Sequence, residues 1–291
     1  MRLFIYKLCV LCLAFLASEL TLAKNIKLKI AGAHYNAQFY STGNQSKPTL
    51  IIVHDALTHN KSEFVGNISS MLFELDFNIL AINLSLRLDN RPSNNYQCTH
   101  AHHHKFEDAS GEISLWVKWL QTKQKVSKIW VLGYGLGANQ IAFYLSRQQH
   151  PLIKGAILIS AINQDILIKN YPYNNKLNRY ISLAHQKEHR YIFPRINFFN
   201  CKQARVSAAS LLSYYQEAPH FNISYLANKI KVPLLVIGAE QDIHHRDLKQ
   251  KINIFHPGNK QIKFVLIPAA PANFANLYIM SLLHPITQFI R

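Results

Sequence analysis

The chain has 291 residues, and 49% of them are hydrophobic, enough to bury a sizeable core. Its 32 Lys and Arg outnumber 15 Asp and Glu, for a formal charge of +17. Such a balance raises affinity for anionic surfaces in general, yet there is no zinc-finger spacing, basic heptad or RNP-like stretch, so nucleic acid is not an expected partner.

Met1-Arg2 and Lys7 lead into an apolar run over residues 8–17, followed by Thr21-Leu22-Ala23. A basic start, a short apolar core and a small residue before a cut after Ala23 describe a secretory signal peptide over residues 1–23. The run is shorter than the roughly 20 residues a bilayer span needs. Neither Cys9 nor Cys12 has the small-residue context of a lipoprotein signal. The expectation is an exported protein, periplasmic or secreted, without a transmembrane anchor after cleavage. Residues 24–291 then form one domain. Cys98 and Cys201 are its only cysteines, and two cysteines in an exported chain suggest a disulfide, with two buried thiols as the alternative.

Residues 25–42 read as two antiparallel edge strands around Gly32. Thr49–Val53 is a continuous apolar run, the mark of a strand buried on both faces, and ends in His54-Asp55. Residues 61–76 have helical spacing, 78–84 form a second buried strand, and 87–105 read as a polar loop. A helix follows over 106–122, with Ile113, Trp116, Val117 and Leu120 on one face. Strands are expected at 129–132, 153–160, 233–237 and 261–267, and helices from Ala138, over 247–255 and over 274–290. Alternating strands and helices predict an α/β fold with a mostly parallel, doubly wound sheet. Residues 163–231 interrupt the alternation. They are rich in Tyr, Asn and basic residues, densest in charge at 176–195, and read as an inserted cap with patchy helical spacing. There is no internal repeat or low-complexity segment.

The centre of the pattern is Gly133-Tyr-Gly135-Leu-Gly137, between the strand at 129–132 and the helix from Ala138. Alternate glycines let a strand reverse into a helix within a few residues. The arrangement matches a nucleophile elbow, G-x-S-x-G, with glycine in the serine's place. It also matches G-x-G-x-x-A of dinucleotide sites, but after a late strand and with no acidic residue closing the next one, so no cofactor is expected.

With these elements in order the chain resembles the α/β hydrolases, and more narrowly a group of exported bacterial α/β-hydrolase-like proteins. The stretches that carry the resemblance are Val53-His-Asp-Ala-Leu-Thr-His-Asn60, Leu80-Ala-Ile-Asn-Leu-Ser-Leu86, Cys98 with the histidines up to Glu107-Asp-Ala109, Gly137-Ala-Asn-Gln140, and Val206-Ser-Ala-Ala-Ser210 running into Ser213-Tyr-Tyr215. The resemblance implies a nucleophile position at Gly135, an acid at Asp242 and a histidine position at Ala272. It implies an oxyanion loop at His54-Asp55, where His-Gly is usual, with Tyr134 and Leu136 bordering the pocket. Three of the four functional positions depart from the pattern.

Acyl transfer on this fold needs a hydroxyl, an imidazole to take its proton, and two backbone N–H groups for the oxyanion. Glycine and alanine offer neither of the first two, and an inward Asp55 would oppose a developing oxyanion. Tyr134 and Tyr144 are candidate replacement groups; Tyr134 flanks the elbow, and its plainer reading is a ring packed against the cap. Asp242 is either a leftover triad acid or a loop carboxylate paired with His244, His245 or Arg246. His102, His104 and Asp108 are weak candidates for a metal site, since imidazoles with a carboxylate suit zinc or copper. The expectation is a non-catalytic protein that binds a small molecule or a protein; the alternative is a hydrolase of ester or related bonds with a different constellation.

Overall fold

In a computed structural model of the chain, residues 23–163, 168, 174–216, 221–255 and 258–291 are described. All but the last residue of the expected leader, 1–23, lies outside them.

Eight strands form one sheet: β1 (Lys24–Ile30), β2 (Ala33–Tyr40), β3 (Thr49–Val53), β4 (Asn78–Asn83), β5 (Ile129–Tyr134), β6 (Ile153–Ile159), β9 (Leu234–Ala239) and β10 (Ile262–Ile267). Their spatial order is β1-β2-β4-β3-β5-β6-β9-β10. β1 and β2 pair antiparallel, β2 meets β4 antiparallel, and every later pairing in this sheet is parallel. Ala31 and Gly32 close the first hairpin, both at positive φ, as a two-residue turn matched to strand twist demands.

β3, β4 and β9 are buried at every residue, which is why their sequences are continuous apolar runs rather than alternating ones. Side chains alternate between two cores. Ile51, Val53 and Val131 face the layer holding α2 (Asp108–Lys123) and α3 (Leu136–Arg147), with the inserted segment beyond. Leu50, Ile52 and Leu132 face α1 (Glu63–Glu74) and α8 (Leu283–Ile290).

The insertion holds α4 (Asn174–Gln186), a second sheet of β7 (Ile192–Phe198) and β8 (Cys201–Ser207), α5 (Ala208–Tyr215) and the short α6 (Ile223–Leu226). The antiparallel hairpin was not in the sequence reading. Its register slips between Phe193 and Ile196, where Pro194 precedes Arg195 at φ 57°, and this breaks the two-residue period that marks a strand. His102, in the stretch read as loop, also joins this sheet through an isolated bridge. His102 bridges Val206: its N–H donates to the Arg205 carbonyl at 2.7 Å, and its own carbonyl accepts from Ser207 N–H at 2.9 Å.

α7 (Ile243–Phe255) lies between β9 and β10. The expected last helix is two pieces, a 3-10 helix at Asn276–Leu282 and then α8. Pro285, in the first turn of α8, has no N–H to donate to the preceding turn, so an unbroken α-helix would lose a bond there.

Candidate functional site

The strand β5 runs into α3 through Gly135, whose φ of 57° and ψ of −125° are a conformation that a residue with a Cβ adopts only under strain. The flanking glycines are required by close approach. A Cβ on Gly137 would meet the Val53 carbonyl oxygen at 2.5 Å, and one on Gly133 would meet the Ala138 nitrogen at 2.5 Å. The helix therefore starts pressed against the ends of β3 and β5, with its first N–H groups aimed into the site.

Those N–H groups are taken. Oδ1 of Asp55 accepts from the N–H of Leu136 at 2.7 Å and from that of Ala56 at 2.7 Å. In a nucleophile-elbow site, the N–H after the nucleophile and one from the loop after the first buried strand make the oxyanion hole. Here the corresponding pair holds the protein's own carboxylate. Burial raises the Asp55 pKa, while these two N–H donors pull it down. Asp55 and Gly135 interlock, because the carboxylate fills the place a side chain on residue 135 would take.

His54 is buried and fixed by two bonds: Nδ1 donates to the Asp55 carbonyl at 2.8 Å, and Nε2 accepts from Leu84 N–H at 3.1 Å. That pattern is a neutral imidazole, and burial, with the Arg91 charge adding to it, lowers its pKa to about 3. It ties the loop after β3 to the end of β4 and has no proton to exchange near neutral pH.

Two buried charged residues support this loop, and the sequence reading missed both. Arg91 is 2% exposed; its guanidinium donates to the Leu84 carbonyl at 2.7 Å, Asn83 Oδ1 at 3.2 Å, the Asn94 carbonyl at 3.0 Å and the Thr58 carbonyl. Glu112 on α2 accepts from Ser85 N–H at 2.8 Å and Ser85 Oγ at 2.6 Å, and burial raises its pKa to about 7. Nothing local marks either one: Arg91 stands in a polar, Asn- and Pro-rich stretch that reads as exposed.

The acid and histidine positions come to the same end of the sheet. Asp242 follows β9, and its Oδ2 lies 3.5 Å from Nδ1 of His245. That nitrogen already accepts from Ala239 N–H at 3.0 Å, so it carries no proton and the contact is not that of an acid orienting a base. Of the partners expected for Asp242, His245 is the one placed there; the side chains of His244 and Arg246 lie outside the described residues. Ala272 sits in the loop after β10, exposed, with its carbonyl accepting from Ser160 Oγ at 3.0 Å. Tyr134 does not pack on the cap. Its ring stacks on Phe64 of α1 with centroids 3.8 Å apart, because β5 ends on the α1 side of the sheet, and its hydroxyl donates to the Asn273 carbonyl at 3.3 Å. Burial raises its pKa far from any working range. Tyr144 is buried along α3 and faces Ser114 of α2, well away from the elbow.

The space beside Asp55, bounded by Leu57, Leu136, Phe199 and Tyr214 among others, is about 10 Å³. A single water needs roughly 10–15 Å³ on this measure, so no acyl group fits without movement.

The histidine cluster is structural. His102 Nδ1 lies 3.2 Å from His104 Nε2, and His104 Nδ1 lies 2.9 Å from the Tyr214 hydroxyl. Whichever way this chain of bonds runs, each imidazole carries one proton and is neutral. Burial lowers His102 to about pKa 4 and holds His104 well below its ordinary value. Asp108 is elsewhere engaged, bidentate to Arg87 at 2.8 and 3.0 Å. The three candidate ligands therefore do not converge, and among the described residues no group of three His, Cys, Asp or Glu is placed to hold a metal. The cluster instead fastens the loop to the insertion, beside the Cys98–Cys201 disulfide.

No protein-family model matches the sequence, and no curated protein matches it. Solved structures do. Est1E from Butyrivibrio proteoclasticus aligns with a TM-score of 0.64 at 14% identity, covering 91% of this chain and 97% of its own. GrgF from Penicillium sp. sh18, an α/β hydrolase, gives 0.65 at 12% identity, with 91% and 96% covered. An esterase from Pyrococcus furiosus gives 0.56 at 14% identity, with 92% and 90% covered. The chain has the α/β-hydrolase fold. Identities this low speak for the fold and not for an activity.

Proposed function

We propose that this protein is a non-catalytic binding protein on the α/β-hydrolase fold, exported to the periplasm or beyond. The observation that carries the reading is the Asp55 carboxylate lodged between the N–H groups of Ala56 and Leu136, against a residue 135 without a side chain. A developing oxyanion would have to displace a buried carboxylate, and no hydroxyl at position 135 would generate one. The closed space beside Asp55 supports the same reading. For export, the disulfide supports the reading.

A second reading, an esterase with a different constellation, has one observation in its favour besides the named activities of its structural neighbours. Ser160 stands at the end of β6 in a left-handed conformation, φ 49°, with its hydroxyl beside the loop of Ala272. Initial rates on p-nitrophenyl acetate and butyrate separate the two. The first reading expects no turnover above buffer from the wild-type protein, with a gain in an Asp55→Gly/Gly135→Ser/Ala272→His variant. Wild-type turnover abolished by Ser160→Ala would establish the second.

A further inference from the structure

A separate and much larger cavity, about 1080 Å³, opens on the flank of the insertion. Small-molecule sites occupy roughly 300–1,000 Å³. The helix α3 separates it from the elbow. Leu136, its first residue, borders the closed space, whereas Phe143 and Arg147 border the large one. At 1.5 Å per residue Arg147 lies about 16 Å farther along. The wall between the two is a strand-like alternation, with His104 turned to the closed space and His103 and Lys105 to the large one.

Four permanent cations line the cavity, Arg87, Lys105, Arg147 and Arg190, against one carboxylate, Glu107. Two are committed: Arg87 to Asp108 at 2.8 Å and Lys105 to Glu107 at 2.8 Å. Among the described residues Arg147 and Arg190 have no carboxylate partner. Arg147 is ordered by stacking 5.1 Å above the Phe143 ring. Phe143, Ala209 and Leu212 supply an apolar floor. A guanidinium offers a planar pair of donors that matches phosphate or carboxylate. Uncommitted positive charge beside an apolar floor selects a ligand with both characters.

We propose that this cleft binds an anionic amphiphile, its phosphate or carboxylate head held by Arg147 and Arg190 and its apolar part laid against Phe143 and Leu212. The cleft shares no lining residue with the elbow, so binding here is measured apart from ester turnover there.

The test is calorimetric titration with octyl phosphate below its micelle concentration, beside inorganic phosphate and octyl glucoside. The proteins are wild type, Arg147→Gln/Arg190→Gln, and Lys154→Gln/Lys263→Gln, which removes equal charge from residues bordering neither cavity. Octyl phosphate is expected to bind wild type about tenfold more tightly than either comparison compound, to lose about tenfold or more in the cleft variant, and to change less than about twofold in the control. Equal loss in both variants, equal affinity for either comparison compound, or no binding overturns the proposal. Association with phosphatidylglycerol vesicles while octyl phosphate is ignored also overturns it. Melting curves confirm that the variants fold. Should the double variant not fold, Arg147→Lys, which keeps the charge and loses the paired donors, must by itself weaken octyl phosphate about threefold or more.

Discussion

A Cβ built on Gly135 would lie 2.1 Å from Oδ1 of Asp55. The two positions are therefore one substitution in physical terms: the carboxylate can occupy the N–H pair of Ala56 and Leu136 only because residue 135 has no side chain. The simplest restoration, Gly135→Ser with Ala272→His, leaves this conflict in place.

Gly135→Ser alone is accordingly expected to lose stability, by about 2–4 kcal/mol, from the positive φ and from eviction of the carboxylate. It should gain no esterase activity. Asp55→Gly alone should cost about 1–3 kcal/mol through unpaired N–H groups, and combining it with Gly135→Ser should cost less than the two added. Denaturant melts of the three variants measure this coupling. Strict additivity would mean the two residues do not meet in solution.

The sheet was legible because the parallel strands are continuous apolar runs, and the elbow because three glycines recur between a strand and a helix. The hairpin β7–β8 was not, since Pro194 and Arg195 disrupt its period. That Gly135, Asp242 and Ala272 stand at the nucleophile, acid and histidine positions is an expectation from their order along the chain. What Asp55 does could not, because whether a carboxylate opposes an oxyanion hole or fills it depends on a turn of one side chain. The basic cleft was half visible: the cation density at 176–195 contains Arg190, but Arg87, Lys105 and Arg147 join it from distant elements.

Arg91 should tolerate no replacement. Its charge sits at 2% exposure among three backbone carbonyls and an amide oxygen, a fan of acceptors that only a guanidinium spans. Arg91→Lys is expected to cost about 3 kcal/mol or more, and Arg91→Met, which leaves every acceptor unpaired, a comparable amount. Urea midpoints within the error of wild type for the lysine variant would mean that water reaches this site.

Reduction should weaken the insertion first. The Cys98–Cys201 bond closes a sequence separation of 103 residues and clamps the loop carrying His102 and His104 to β8. On the chain-entropy model its loss costs about 4–5 kcal/mol, often less in practice. Hydrogen exchange with and without reductant is expected to show deprotection at residues 98–106 and 192–207 before the central strands. Loss beginning in β3 or β5 would contradict that order.

Acid should destabilise the fold from about pH 6.5 downward. In the unfolded chain His54, His102 and His104 titrate near 6.5, while in the fold burial holds His54 to about 3, His102 to about 4 and His104 well below its ordinary value. As pH falls through 6.5, the unfolded chain binds protons that the native state refuses, so stability present above 6.5 is lost toward pH 4. Glu112 acts oppositely: raised from 4.5 to about 7, it holds a proton in the fold that the unfolded carboxyl has released, which favours the native state more as pH drops from 7 to 4.5. Asp55, whose pKa burial also raises, acts in the same sense as Glu112, and two carboxyls against three imidazoles leave the net slope positive with pH. Melting temperatures are expected to be highest above neutrality and to fall between pH 6 and 4. The Glu112→Gln variant, which removes one of the two opposing groups, should fall more steeply, whereas a flat profile over that range would mean the imidazoles are protonated in the native state.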